Sequence, residues 1–105
     1  MAQITWTEPA LADLNDIAEY IAVDNPATAR KLVATILDKT GRLDRFPKSG
    51  RIPPELKGSR YREIIVSPCR IIYRTDKTKF YILHVMRAER LLRQYMIEAR
   101  ARNTD

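Results

Sequence analysis

Two stretches with helical periodicity lie next to each other near the start of the chain, separated only by Asp-Asn-Pro at positions 24–26. The first has an apolar stripe formed by Leu11, Leu14, Ala18 and Ile21. The second has a longer stripe that runs to Phe46 and ends before Pro47. Asn25 is a typical helix N-cap, and Pro26 suits the first helical position because no N–H is needed there. Two helices joined by so short a turn pack antiparallel, so the sequence predicts a helix hairpin.

Strand-like segments lie on both sides of the predicted hairpin. Gln3–Thr7 alternates apolar and polar residues, as a short strand does, and Thr7 can cap the first helix. Three further segments with strand-like composition follow the hairpin: Tyr61–Val66, Cys69–Thr75 and Lys79–Arg87. The links between them, Ser-Pro and Asp-Lys-Thr-Lys, are too short for a crossover, so we expect antiparallel neighbours.

The last segment, from Ala88 onward, is rich in helix-forming residues. A helix there would carry one apolar side: Leu91, Leu92, Tyr95, Met96 and Ala99. The order β-α-α-β-β-β-α predicts an α+β fold, in which an N-terminal helix hairpin packs on a small, mainly antiparallel sheet and a C-terminal helix follows. A chain of 105 residues is long enough for one domain, residues 1–105.

Arginines recur on the three later strand segments. Residues two positions apart on a strand share a face, so Arg70 and Arg74 project from one side of the central segment. The other side, beginning with Cys69, is predicted to pack on the helix hairpin. Five arginines together predict a basic binding surface: Arg62, Arg70, Arg74, Arg87 and Arg90. Arginine suits this role because it binds phosphate or carboxylate with two hydrogen bonds. The alternative is that they are separate solvated charges.

The charge distribution favours an anionic partner. The chain carries +6 overall, and residues 51–105 contain thirteen Lys or Arg and six Asp or Glu, which gives +7. A basic half of this kind is typical of proteins that bind nucleic acid or an acidic protein segment.

Single cysteine and histidine residues limit the chemistry. With only Cys69 the chain forms no internal disulfide, and with only His84 it forms no two-histidine metal site. Both are predicted to be packing residues, and strand alternation puts His84 on one face with Ile82 and Met86. The start of the chain lacks a signal-peptide pattern, and no apolar stretch could span a membrane. The sequence therefore predicts a cytoplasmic protein without a cofactor or metal.

Three segments, in this order, resemble the RelE/ParE superfamily, the toxins of type II toxin–antitoxin systems: Phe46–Leu56, Tyr61–Arg74 and Tyr81–Leu92. Members similarly carry a Phe-Pro…Gly-Arg stretch, an Arg-Glu strand, a strand like Tyr-Arg-Ile-Ile-Tyr-Arg and a final strand ending in Val-x-His-x-x-Arg. Here Arg87 stands at the usual histidine position, so no role of that histidine carries over. The resemblance covers nearly the whole chain and implies a single toxin domain.

The resemblance implies one of two activities. RelE-like members are metal-independent endoribonucleases that cut mRNA on the ribosome, whereas ParE-like members inhibit DNA gyrase without catalysis of their own. By similarity, an endoribonuclease site would use Arg70, Arg87, Arg90, Tyr95 and Glu63. Two lysines that RelE-like members carry on the preceding strand are absent here. Glu63 lies on that strand instead, where a carboxylate would repel phosphate, although its use as a general base stays open.

The ParE-like pattern is the better match, because this chain has the long helix hairpin, the Arg-Glu-Ile strand and no catalytic tail. It implies a toxin of a plasmid stabilisation-type system that causes growth arrest by inhibiting gyrase. A cognate antitoxin would bind it as a hetero-oligomer. The alternative is a ribosome-dependent mRNA endonuclease, whose partners would be the ribosome and mRNA. In either case the Arg70 and Arg74 side is the expected working surface, or the surface that the antitoxin covers.

Overall fold

A computed structural model describes residues 3–102 of the chain. Its elements are β1 (Gln3–Trp6), α1 (Glu8–Asp24), α2 (Pro26–Gly41), a short 3-10 helix (Pro54–Leu56), β2 (Tyr61–Val66), β3 (Cys69–Asp76), β4 (Lys79–Arg87) and α3 (Gln94–Arg102). The predicted α+β fold and the predicted order of elements are confirmed. The predicted domain also includes residues 1–2 and 103–105, which lie outside the described residues.

The helix hairpin has the predicted caps. The Thr7 hydroxyl accepts a hydrogen bond from the first turn of α1 at 3.4 Å, and the Asn25 side chain accepts one from the first turn of α2 at 3.0 Å. Helix α2 ends at Gly41, however, and not at Phe46 as predicted. Leu43 is the last residue of the stripe that is buried, and Phe46 is exposed. The stripe therefore continues through a turn after the helix has ended.

The four strands form one sheet in the order β1-β4-β3-β2. Strand β4 is antiparallel to β3, and β3 is antiparallel to β2, as the short links predicted. Strand β1 lies at the far edge and pairs in parallel with β4. Strand β1 is thus held in the sheet by its pairing with β4.

The two faces of the sheet form separate apolar clusters. The hairpin face is buried against α1 and α2 and contains Ala10, Leu14, Leu32, Ile36, Leu43, Val66, Cys69, Ile71, Tyr73, Phe80, Ile82 and Val85. The C-terminal face is buried with α3 and the segment before it and contains Leu56, Ile72, Leu83, Met86, Leu92, Ile97 and Ala101. The predicted packing of the Cys69 side of β3 on the helix hairpin is confirmed.

A bulge interrupts the pairing of β3 with β4. Positions 72 and 73 of β3 pair with positions 84 and 82 of β4, which leaves Leu83 without a partner on β3. Alternation had predicted that His84 and Met86 share a face with Ile82. This was wrong for both residues, because the extra residue shifts the alternation. Val85 joins Ile82 on the hairpin face, whereas His84 pairs with Ile72 of the C-terminal face and Met86 joins that same face.

The apolar side predicted for the C-terminal helix was partly wrong. The chain is not helical between β4 and Gln94, so the helical spacing on which Leu91 and Leu92 were placed does not apply there. The buried residues of this segment are Leu92, Ile97 and Ala101. Leu91 and Tyr95 are instead 71% and 73% exposed.

Candidate functional site

The five arginines of the predicted basic surface do not meet on one exposed surface. Arg70 and Arg74 project from the same side of β3, as predicted, but are only 5% and 0% exposed. The register of β2 places Arg62 on the opposite side of the sheet, where it is half-buried and donates a hydrogen bond to the Gly50 carbonyl at 2.7 Å. Arg87, at the end of β4, is half-buried, and Arg90, just after it, is exposed.

The Arg70 guanidinium is held between two carboxylates. Its Nε donates to Glu63 at 2.6 Å, and its two terminal nitrogens donate to the two oxygens of Glu55, each at 2.8 Å. Arg51 donates to the other oxygen of Glu63 at 2.6 Å. Glu63 itself is 1% exposed. We call these four side chains the Arg70 network. A two-bond arginine–carboxylate pair of this kind is strong and fixes geometry.

The Arg70 network is attached to the segment after β4. Arg70 also donates to the carbonyl of Arg90 at 3.0 Å, and Glu55 accepts from the N–H of Leu92 at 2.9 Å. The hydrogen bonds from Arg70 lower the pKa of Glu55 to about 2. The same bonds raise the pKa of Arg70 further above its ordinary value. Both groups therefore stay charged at neutral pH, and together they fix the backbone that presents Arg90.

Arg74 is held beneath α3. Its guanidinium donates to the carbonyl of Ala101 at 3.4 Å and pairs with Asp76 at 3.2 Å. It also lies 4.9 Å from the centre of the Tyr81 ring, in the range of a cation–π contact. Arg70 and Arg74 thus both contact the backbone of the C-terminal segment.

A further charged cluster connects α1, β4 and α3. The Nδ1 atom of His84 lies 2.6 Å from a carboxylate oxygen of Asp13, and an Arg100 nitrogen lies 2.5 Å from the same oxygen. That nitrogen is also 2.7 Å from His84 Nδ1, which can donate to Asp13 or accept from Arg100 but cannot do both at once. Burial raises the pKa of Asp13, but the hydrogen bonds from His84, Arg100 and the Val85 N–H outweigh burial, so the pKa lies below its ordinary value. These contacts are consistent with the prediction that His84 has a structural role as a packing residue.

Arg87, Arg90 and Arg93 line a groove between α1 and the segment that follows β4. It has a volume of about 580 Å³ and is lined by Asp13, Asp16, Ile17, His84, Val85, Met86, Arg87, Arg90, Leu91, Arg93 and Met96. An adjoining groove of about 470 Å³ shares part of this lining and adds Tyr20 and Glu89. We call the two together the α1 groove.

The residues predicted for an endoribonuclease site are divided between the interior and the surface. Arg70 and Glu63 are buried in the Arg70 network, whereas Arg90 and Tyr95 are exposed and Arg87 is half-buried. Within residues 3–102, no group of three His, Cys, Asp or Glu side chains could hold a metal ion. No helix in this range is both long enough and apolar enough to cross a membrane.

Several charged residues of the site were missed by sequence reasoning: Asp13, Arg51, Glu55, Arg93 and Arg100. The excess of basic residues over residues 51–105 did include Arg51, Arg93 and Arg100, but only as members of a charge total. Glu55 was not predicted as a site residue, because the sequence of the connection that contains it shows no periodic pattern. The partners of Asp13, Arg51, Glu55 and Arg100 lie on distant segments, which local patterns do not reveal.

Comparison with known sequences identifies the family. A sequence profile described as "ParE toxin of type II toxin-antitoxin system, parDE" matches residues 4–92. The chain belongs to this toxin family. The ParE match includes the helix hairpin, strands β2 to β4, all of β1 except Gln3, and the Arg70 network, and it ends before α3.

Individual relatives agree with this assignment. "Toxin RelE2" of Caulobacter vibrioides is 33% identical over 92 residues, which are 87% of this chain and 100% of the relative. "Putative toxin Y4kP" of Sinorhizobium fredii is 37% identical over 86 residues, 82% of this chain and 88% of the relative. A solved structure titled "Chromosomal ParDE TA system from P. aeruginosa" matches with a TM-score of 0.70 and 26% identity, over 85% of this chain and 98% of that chain. The chain is thus a type II toxin, and both ParE and RelE occur among its relatives' names.

Proposed function

We propose that this toxin acts in the cytoplasm by binding DNA gyrase and inhibiting it, and that a cognate antitoxin neutralises it. The observation that carries the proposal is the pairing of Arg70 with Glu63, both almost fully buried. An endonuclease that used Arg70 to bind the scissile phosphate, or Glu63 as a general base, would need these side chains to reach the RNA. Their engagement with each other favours a toxin that acts through binding.

Under this proposal the predicted basic residues have different roles. Arg87 and Arg90 contact the target or the antitoxin directly, since they are accessible at the end of the sheet. Arg70 supports the segment that carries Arg90 through the Arg90 carbonyl, and Arg74 supports α3 through the Ala101 carbonyl. Residues 1–105 act as a single toxin domain.

A supercoiling assay with purified gyrase tests the proposal. The purified toxin should block supercoiling or trap cleaved DNA at amounts close to those of gyrase, and Arg90→Glu should weaken the effect. Arg45→Glu is a matched control, because Arg45 is exposed on the connection after α2 and does not line the α1 groove. Normal supercoiling in the presence of excess folded toxin would refute the proposal.

A ribosome-dependent mRNA endonuclease is the second candidate. The accessibility of Arg87, Arg90 and Tyr95 favours it, because cations could stabilise a phosphorane and a tyrosine could transfer a proton. Cleavage of ribosome-bound mRNA that is lost in Tyr95→Phe, together with unaffected gyrase, would replace the first proposal by this one.

A further inference from the structure

Helix α3 is a short cover over the C-terminal face of the sheet. It has nine residues, of which Ile97 and Ala101 are buried in the apolar cluster of that face. A helix of this length is marginal in water on its own, so its place depends on contacts with the rest of the domain. The side chains that hold α3 therefore decide whether this part of the face is covered.

Arg100 connects α3 to two other elements. Its Nη1 atom donates to Asp13 Oδ2 on α1 at 2.5 Å and to the Leu83 carbonyl on β4 at 3.0 Å. Its Nη2 atom donates to Asp13 Oδ1 at 3.3 Å. Arg100 therefore joins α3 to both the helix hairpin and the sheet.

His84 competes with Arg100 for the same carboxylate oxygen. Its Nδ1 atom lies 2.6 Å from Asp13 Oδ2 and 2.7 Å from Arg100 Nη1. A guanidinium carries only donors, so Nδ1 accepts from Arg100 only when Nδ1 carries no proton. When Nδ1 does carry a proton, it donates to Asp13, and the N–H groups of His84 and Arg100 then oppose each other. The hydrogen bond between these two residues therefore requires the neutral imidazole with its proton on Nε2.

Acidification removes that state of the imidazole. The protonated ring carries a hydrogen on both nitrogens and a positive charge, so it donates to Asp13 and repels the guanidinium. Histidine is the side chain whose charge ordinarily changes between about pH 5 and 8. Burial raises the pKa of Asp13, but its hydrogen bonds outweigh burial and hold this pKa below its ordinary value. Asp13 therefore stays charged while His84 is protonated.

The other groups around His84 offer its Nδ1 atom no comparable partner. Its cross-strand neighbour on β3 is Ile72, which carries no charge. Further charged residues line the α1 groove beside His84, from α1 and from the end of β4 onward: Asp16, Arg87, Arg90 and Arg93. Arg87 is paired with Glu89 at 2.8 Å. Among the described residues, Asp13 is the carboxylate within hydrogen-bonding distance of Nδ1, so a charged His84 takes it at the expense of Arg100.

We propose that α3 is a pH-controlled cover, in which protonation of His84 displaces Arg100 from Asp13 and loosens α3 from the C-terminal face. At neutral pH, Arg100 holds α3 against α1 and β4, and the face stays covered. The proton reaches His84 from the α1 groove, which His84 lines. Loosening uncovers the part of the face where Arg74 donates to the Ala101 carbonyl. The accessible surface of the toxin then changes with pH, whichever target it binds.

Hydrogen–deuterium exchange of the purified full chain at about pH 7.5 and about pH 5.5, corrected for the intrinsic effect of pH on exchange, tests this proposal. The protection of the α3 amides should fall about tenfold or more at the lower pH, as expected for the loss of one hydrogen bond between charged groups. The amides of β3 should keep their protection, because the rest of the sheet stays folded. An unchanged α3, or an equal fall in α3 and β3, would overturn the proposal.

Variants of the two competing residues assign the pH response. His84→Gln cannot be protonated in this range and should remove the difference between the two pH values. Arg100→Gln should lower the protection of α3 at both pH values and remove the difference as well. Arg102→Gln is the matched control, because Arg102 is exposed in the same turn of α3, and it should keep the full response.

A second control tests the other acid of the groove. Asp16→Asn changes a carboxylate that lines the α1 groove and should also keep the full response. Circular dichroism checks that each variant is folded, and if His84→Gln is not, the comparison of Arg100→Gln with Arg102→Gln decides. A response that persists in Arg100→Gln, or one that is lost in Arg102→Gln to the same extent, would show that the contact of Arg100 with Asp13 and His84 does not control α3.

Discussion

The hairpin face and the C-terminal face belong to one sheet, but they are buried by different means. Within residues 3–102, the hairpin face has twelve buried apolar residues in its cluster, whereas the C-terminal face has seven and encloses Arg70, Arg74 and Glu63 as well. Apolar burial has no preferred direction, whereas a buried charge is tolerated only while its partners stay in place. The hairpin face should therefore accept small changes of shape, and the C-terminal face should depend on individual hydrogen bonds.

The largest effect is expected from Arg70→Ala. It should lower the free energy of unfolding by about 3–5 kcal/mol, because it removes the main partner of Glu55 and one of the two partners of the buried Glu63. Urea unfolding followed by circular dichroism measures the change. Arg30→Ala, an exposed arginine on α2, is the control and should cost less than about 0.5 kcal/mol. A cost below about 1 kcal/mol for Arg70→Ala would contradict the dependence of the C-terminal face on this network.

Ile71 gives the corresponding test on the hairpin face. Ile71→Ala should cost about 3 kcal/mol, since the side chain is fully buried, but Ile71→Val should cost only about 1 kcal/mol. Arg70→Lys, a similarly conservative change, should cost more than Ile71→Val because lysine cannot form both bonds to Glu55. The reverse order in urea unfolding would mean that the two faces do not differ as described.

A smaller, pH-dependent effect is expected from Glu55→Gln. The pKa of Glu55 is about 2 in the fold, below its ordinary value of 4.5. A lowered carboxyl pKa stabilises the fold above the ordinary value, and this stabilisation is lost as the pH falls towards 2. The difference in unfolding free energy between the wild type and Glu55→Gln should therefore be largest above about pH 5 and decrease below it.

The lowered pKa of Asp13 does not disturb this comparison, because Asp13 is present in both proteins. Ile71→Val is the matched control, since its deficit should not vary with pH. A deficit of Glu55→Gln that is equally independent of pH would refute the ionic contribution of Glu55 to the C-terminal face.

The smallest effects are expected at the exposed apolar residues of the C-terminal segment. Leu91→Ala and Tyr95→Ala should each change the free energy of unfolding by no more than about 0.5 kcal/mol. Leu92→Ala, one position away but buried, should cost at least about 2 kcal/mol. Thermal or urea unfolding of the three variants checks this order, and equal costs would mean that Leu91 helps to cover the C-terminal face.

The parts of the fold that depend on near neighbours in the sequence could be predicted. The caps at Thr7 and Asn25, the two helical stripes and the short links determine the helix hairpin and the antiparallel strands. The shared side of Arg70 and Arg74 followed in the same way from strand alternation. The family resemblance then agreed with a fold that the residues had already indicated.

The burial of the side of β3 that carries Arg70 and Arg74 could not be predicted, because the partners of these arginines come from distant segments. Glu55 lies in a loop without periodicity, and the acceptors at Arg90 and Ala101 are backbone carbonyls, which every residue carries. The bulge at Leu83 likewise has no characteristic residue type. From the sequence alone, an interior arginine that is bound to carboxylates cannot be distinguished from an exposed arginine that binds a ligand.

The parallel pairing of β1 with β4 has a consequence for how the chain folds. The Thr7 hydroxyl donates to the carbonyl of Ile82 at 2.8 Å, across a separation of 75 residues, and Asp13 and Arg100 are 87 residues apart. Contacts between such distant residues slow folding, because much chain entropy is lost before they form. As the chain leaves the ribosome, the helix hairpin emerges well before the sheet that covers its apolar stripe. Strand β1 is therefore made before β4 but reaches its place only after β4 has been made, and the surface formed by the sheet and α3 depends on both ends of this domain being available.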